Sequence, residues 1–270
     1  MQRVAEVWAR AGIGRLRGLR ALALALACAA TLPAFAAGTE EAQWRDIESR
    51  IQYGYYTADV RALHNLADTV ASDESHAALH GYYAGLVAWR LALLAAQNPA
   101  AVPGASAAQL AQRCVHELDA VLDAQADFAE ALALRAACLS VPLAAGGLHV
   151  PFAGRKPHKD LERALALAAR NPRVLFIDAL SDYQLSPSQG GNKDRALTKF
   201  RRAVAAFEAE RAGGPEPLPG WGAAEAYLFL GRDLMDHADG VGARDALEHA
   251  LLLAPEYDEA RRLMAKITSG

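Results

Sequence analysis

Strict alternation of apolar and polar residues and runs of β-branched residues are scarce in this chain of 270 residues, which argues against a sheet. The apolar run Ala21 to Leu32 is about twelve residues, short of the ~20 that a membrane-spanning helix needs. Basic charge is not in excess: 28 Lys and Arg stand against 31 Asp and Glu, a formal net charge of −3, so the electrostatic footprint of a nucleic-acid-binding protein is absent. Cysteine occurs at only three positions, Cys28, Cys114 and Cys138, and neither of the last two has a papain-like sequence setting. The nucleophile elbow G-x-S-x-G is missing, and so is the P-loop pattern G-x4-G-K-[ST]. What the chain does have is apolar mass, with 53% hydrophobic residues. That is enough for one sizeable core or a stack of small units, and it excludes disorder.

The amino-terminal end has the layout of a signal peptide. Arg3, Arg10, Arg15, Arg17 and Arg20 face a single acid, Glu6, and the apolar run Ala21 to Leu32 comes directly after them. Pro33 then precedes the small-x-small tripeptide Ala34-Phe35-Ala36, which places cleavage after Ala36 and makes residues 1–36 the leader. The rival reading is a lipoprotein box, Ala25-Leu26-Ala27-Cys28, in which an acylated Cys28 anchors the protein to the envelope; membrane attachment depends on that reading alone. Without residues 1–36 the formal charge is −7, and such a chain has no general attraction to phosphate backbones or anionic membranes. The local basic cluster Lys193, Lys199, Arg201 and Arg202 reads as a solvated helix face. Export implies a periplasmic, oxidising compartment. There Cys114 and Cys138 either pair or serve as small buried apolar residues; spacing alone does not say whether their Cα atoms come within ~7 Å.

Ala, Leu, Glu and Arg recur at three- and four-residue spacing, so residues 37–270 read as one all-α domain. Helices are expected near 40–54, 57–71, 75–96, 106–124, 127–142, 159–170, 173–185, 192–211, 221–237, 240–253 and 256–268. Three Gly- and Pro-rich insertions interrupt them, at 141–158, 185–191 and 212–220. Most of the other connections are short and force consecutive helices to lie antiparallel.

One stretch has an internal grammar. Tyr227 is followed by Leu230-Gly231 and Leu234, then after a polar turn by Ala243-x3-Leu247-x2-Ala250, and finally by Pro255. Small residues at Gly231, Ala243 and Ala250 let two antiparallel helices approach closely, and Tyr227, Leu230 and Leu247 fill the space around that contact. Ala196-x3-Phe200-x2-Ala203 and Cys114-x3-Leu118-x2-Val121 repeat the second-helix spacing, while Ala129-Glu130-Ala131 with Leu132, Ala136 and Leu139 echoes the first helix. This pattern resembles the 34-residue tetratricopeptide repeat (TPR). The resemblance implies about five antiparallel helical hairpins and a capping helix, Glu256 to Ile267, stacked as an α-solenoid with a concave inner surface. The layout also looks like exported TPR proteins associated with bacterial transport systems, including the T-component of TRAP transporters.

Chemistry-bearing clusters are few. His76 and His80 stand four apart on one helical face, but Ala77 replaces the Glu of a metalloprotease pattern and no third ligand is near. Ser188-Gln189-Gly190-Gly191-Asn192-Lys193 reads as a turn with Asn192 capping a helix. The expectation is therefore a non-catalytic scaffold, without cofactor or metal, whose concave face binds a protein or peptide. In the last two repeats that face would carry Arg173, Phe176 and Tyr183, then Glu225, Leu228, Arg232, Met235 and Asp236. The alternatives are an accessory of an envelope transport complex that encloses a small ligand under the insertions, and an enzyme whose groups converge only in the fold.

Overall fold

The computed structural model describes residues 41–71, 77–144, 157–214 and 217–269. The leader with Cys28, His76 and most of the 141–158 insertion lie outside these residues. The described residues are all-helical, with no strand. The helices are α1 (41–56), α2 (Val60–Ala71), α3 (Ala77–Gln97), α4 (Ala107–Ala124), α5 (Ala129–Ala144) and α6 (Pro157–Leu167), then α7 (Pro172–Gln184), α8 (Lys193–Ala212), α9 (Ala223–Asp236), α10 (Gly240–Leu253) and α11 (Asp258–Ser269). The chain divides into two compact units, Met1–Asp46 and Ile47–Gly270, and the helix packing is that of the second unit.

Helix starts depend on side-chain capping. The Ser106 hydroxyl accepts from Gln109 N at 3.3 Å, and the Gln109 side chain accepts from Ser106 N at 2.8 Å, a reciprocal box that satisfies two otherwise orphaned amides at the start of α4. Asn171 caps α7, which opens on Pro172; Asn192 caps α8 and Asp239 caps α10. Between α1 and α2 the chain turns through Thr57–Asp59, with Ala58 at φ 52°.

Consecutive helices pack in pairs, most extensively α3 with α4, α7 with α8 and α9 with α10. The first helices also touch one another in series: α3 meets α5, α5 meets α7 and α7 meets α9. Close approach is obtained with small residues. A Cβ on Gly231 of α9 would lie 2.9 Å from Leu247 Cγ and 3.2 Å from the Ala243 carbonyl oxygen of α10. Gly85 of α3 is placed likewise, 2.9 Å from Leu118 Cγ of α4. Ala203, Ala243, Leu247 and Ala250 are fully buried at such contacts. Replacing Gly231 with Leu is therefore expected to overpack the α9–α10 contact and destabilise by about 1–3 kcal/mol, read as a lower urea midpoint at unchanged m-value. Cys114 of α4 and Cys138 of α5 are joined by a disulfide, their Cα atoms 6.2 Å apart.

Two segments of the chain pack onto α3, α7 and α9. Residues 47–56 of α1 are the first. Glu48, Gln52 and Tyr56, spaced four apart and so on one face, hydrogen-bond to α3, to α9 and to the residues before α9. The second is the connection 217–222, whose Trp221 is 2% exposed and donates its indole N–H to the Tyr82 hydroxyl at 2.8 Å.

Candidate functional site

The residues expected on a concave groove divide into two sets. Arg173, Phe176, Glu225 and Leu228 are at most 2% exposed and belong to the core, which corrects their assignment to an open face. The physical reason is the cover formed by residues 47–56 and 217–222. Phe176 packs at ring-centroid distances of 6.0–6.4 Å against Phe200, Trp221 and Phe229. Arg173 donates to the Trp221 carbonyl at 3.4 Å and to Glu210, with its guanidinium 5.7 Å from the Phe207 ring. Leu228 is closed over in the same core.

Glu225 forms a buried ion pair with Arg90 of α3. Its carboxylate also accepts from the Tyr56 hydroxyl at 2.8 Å and from the Gln52 amide at 3.3 Å, and Arg90 donates to Gln52 Oε1 at 2.9 Å. The Arg90 guanidinium lies 4.2 Å from the Tyr55 ring, 4.8 Å from Trp89 and 5.1 Å from Trp221, so aromatic faces replace the water it has lost. Beside this pair Glu48 accepts from Tyr83 at 2.7 Å and from Gly220 N at 2.9 and 3.0 Å. Burial nonetheless raises the Glu48 carboxyl above its ordinary value. None of these partners was singled out in the sequence as part of a site. A signal for Arg90 was present all the same: it is the only Asp, Glu, Lys or Arg in the 21 residues of α3.

Tyr183, Arg232 and Met235 are half-buried and Asp236 is exposed, so these four remain reachable. Tyr183 donates to Asp236 at 2.9 Å, Lys193 donates to Asp236 at 2.5 Å, and the Lys193 ammonium lies 5.1 Å from the Tyr183 ring. Burial pushes the Asp236 carboxyl up, but Lys193 and Tyr183 outweigh it and hold the group below its ordinary value. Arg232 pairs with Glu259 and lies 5.3 Å from the Phe229 ring. The cluster Lys193, Lys199, Arg201 and Arg202 is broken up by partners: Lys193 is engaged by Asp236, Lys199 by Asp178 and Asp182, and Arg202 by the Ala169 carbonyl.

A cleft of ≈ 540 Å³ opens among α6, α7 and α8. Pro157, Leu161 and Leu165 of α6 and Leu185 supply apolar surface, and His158, Glu162, Ser181 and Gln189 add polar groups. On its other wall Arg195 grips Asp182 through two nitrogens and donates to the Gly190 carbonyl at 2.8 Å. Lys199 bridges Asp178 at 2.7 Å and Asp182 at 2.8 Å. Burial alone would raise the Asp182 carboxyl, but these cations hold it below its ordinary value. Two cations and two carboxylates thus form a preset polar wall on rigid helices.

Among the described residues, no group of three or more His, Cys, Asp and Glu could hold a metal ion, and no helix is long and apolar enough to cross a membrane. Compared with known proteins, the chain matches no family model and no curated protein.

Proposed function

We propose that the protein is an exported, TPR-like α-solenoid that binds a protein or peptide partner without catalysing a reaction, and that it does so at the cleft among α6, α7 and α8 rather than along its inner face. The observation that carries this reading is the contrast between the two surfaces. The inner face is filled in cis by residues 47–56 and Trp221, while the cleft is open and lined by both apolar and charged groups. The serial contact of α3, α5, α7 and α9, and the close helix approach at Gly231, support the solenoid. The Cys114–Cys138 bond supports an oxidising, periplasmic setting, in keeping with the Arg-rich and apolar leader.

A second reading rests on the size of the cleft. Its ≈ 540 Å³ falls in the range of small-molecule sites, which suits an accessory of an envelope transport system that encloses a small ligand. One experiment separates the two. Crosslinked pull-downs from envelope fractions would compare the wild type with Glu162→Arg/Gln189→Arg, which crowds the cleft from exposed positions, and with Met235→Ala/Asp236→Ala at the α9 edge. The scaffold reading expects a protein partner whose recovery falls at least about tenfold in the cleft variant only. Recovery unchanged in the cleft variant rejects the cleft. No captured protein, with a cleft-dependent small molecule released in native mass spectrometry, selects the second reading.

A further inference from the structure

The corner where α8 begins and α9 ends holds a histidine whose two ring nitrogens both face acceptors. His237 Nδ1 lies 2.8 Å from the Asp233 carbonyl oxygen and 3.4 Å from Asp233 Oδ1, and Nε2 lies 2.9 Å from Asp194 Oδ1. A carbonyl and a carboxylate only accept. A neutral imidazole has one N–H and one lone pair, so it satisfies one contact and turns the other repulsive; only the imidazolium satisfies both. The helix ends favour the same state. His237 is the carboxy-terminal cap of α9 and Asp194 stands in the first turn of α8, so each charge opposes the partial charge of its own helix end.

The neighbouring Asp233 adds a second constraint. Its side chain is fully buried, and neither carboxylate oxygen has a hydrogen bond. Burial pushes this carboxyl up to about 6, against the downward pull of His237 and Lys193, while Asp236 and Asp194 push the same way as burial. The other groups at the corner are committed elsewhere. Tyr183 of α7 and Lys193 of α8 both hold Asp236, Arg232 pairs with Glu259, and Asp239 at the start of α10 caps Gly242 N at 2.9 Å. His237 is therefore the one ion-pair partner of the buried Asp233 carboxylate among the described residues.

We propose that His237 is a proton-operated latch between α8 and α9, closed as the imidazolium and opened by loss of one ring proton. This goes beyond the proposed binding role and does not depend on it. The direction is set by both groups. The hydrogen bond to Asp194, then the one to the Asp233 carbonyl, raise the His237 ring above its ordinary value, so its contribution is complete below about 6.5 and is lost as pH rises through the folded-state value. The ionised Asp233 carboxylate favours the imidazolium by charge, but its own burial costs stability above about 6, a cost relieved as pH falls towards 3.8. Both effects close the corner in mild acid and loosen it in mild alkali.

The test uses the whole folded protein. NMR would track the His237 ring titration together with exchange of the His237, Ala238 and Asp239 amides, which close the last turn of α9 on Asp233, Met235 and Leu234. Exchange is expressed as protection after correction for intrinsic base catalysis. Protection is expected to fall about tenfold between pH 5.5 and 8.5, in step with a ring that titrates above 6.5. Asp194→Asn should lower the ring value, and Asp233→Asn should flatten the protection step while the fold is retained. Flat protection in the wild type, a ring that titrates at or below 6.5, or an unchanged step in His237→Gln would each overturn the latch.

Discussion

Replacing Glu225 with Ala is expected to destabilise the protein by about 3–5 kcal/mol, because it leaves the Arg90 guanidinium charged and buried without its carboxylate. Both side chains are 1% exposed, and Arg90 Nε already lacks a hydrogen-bond partner, so no solvent stands ready to replace the lost acceptor. Tyr56 and Gln52 would lose the same acceptor, so the effect reaches from α9 to α1 and α3. The double variant Arg90→Met/Glu225→Leu should lose much less than the sum of the single changes, since removing both charges also removes the desolvation cost that the pair overcomes. Urea denaturation of the wild type, Arg90→Met, Glu225→Leu and the double variant gives the coupling directly. A Glu225→Ala loss below about 1 kcal/mol would mean that the pair is hydrated and that α1 does not seal the layer beneath it.

Trp221→Ala is expected to cost a comparable ~3–5 kcal/mol, for a different reason. The indole fills the space between Trp89 at 5.6 Å and Phe176 at 6.4 Å, and its N–H satisfies the Tyr82 hydroxyl. Truncation would open a cavity in an interior that has no other atoms to fill it and would leave that hydroxyl unpaired. It would also remove an aromatic face from the Arg90 guanidinium, so its effect and that of Glu225→Ala should be non-additive. Trp221→Phe retains most of the volume and isolates the hydrogen bond, with an expected loss of about 1–3 kcal/mol. Urea midpoints, with near-ultraviolet circular dichroism of the aromatic cluster, check both values. A midpoint unchanged in Trp221→Ala would show that the 217–222 connection rests on the surface rather than plugging the layer.

Both predictions concern residues that fill the inner layer of helices. Residues 47–56 and the 217–222 connection reach α3, α7 and α9 from distant parts of the chain and already occupy the face that those helices share. Among α6, α7 and α8, by contrast, the Arg195 side chain stays 50% exposed although the buried Asp182 holds it by two nitrogens.

The sequence alone determined that the chain is helical and, to within about three residues, where the described helices lie, because both are local. Three- and four-residue periodicity placed α7 within a residue of Pro172–Gln184, and Asn192 marked the start of α8 through a bond that spans three residues. It also identified the small residue at Gly231 that admits Leu247, since the spacing of residues within two adjacent helices is fixed by a short turn. Which helical faces stay open was decided only in the tertiary structure. Arg173, Phe176, Glu225 and Leu228 have the spacing of groove residues, and nothing local distinguishes a groove from a core that another segment will cover. Glu225 is covered by Gln52 and Tyr56, 173 and 169 residues away in the chain. Contacts at such separation leave no periodic trace beyond a charge in an unexpected place, and Arg90, alone in an apolar helix, was the one mark of them that the sequence carried.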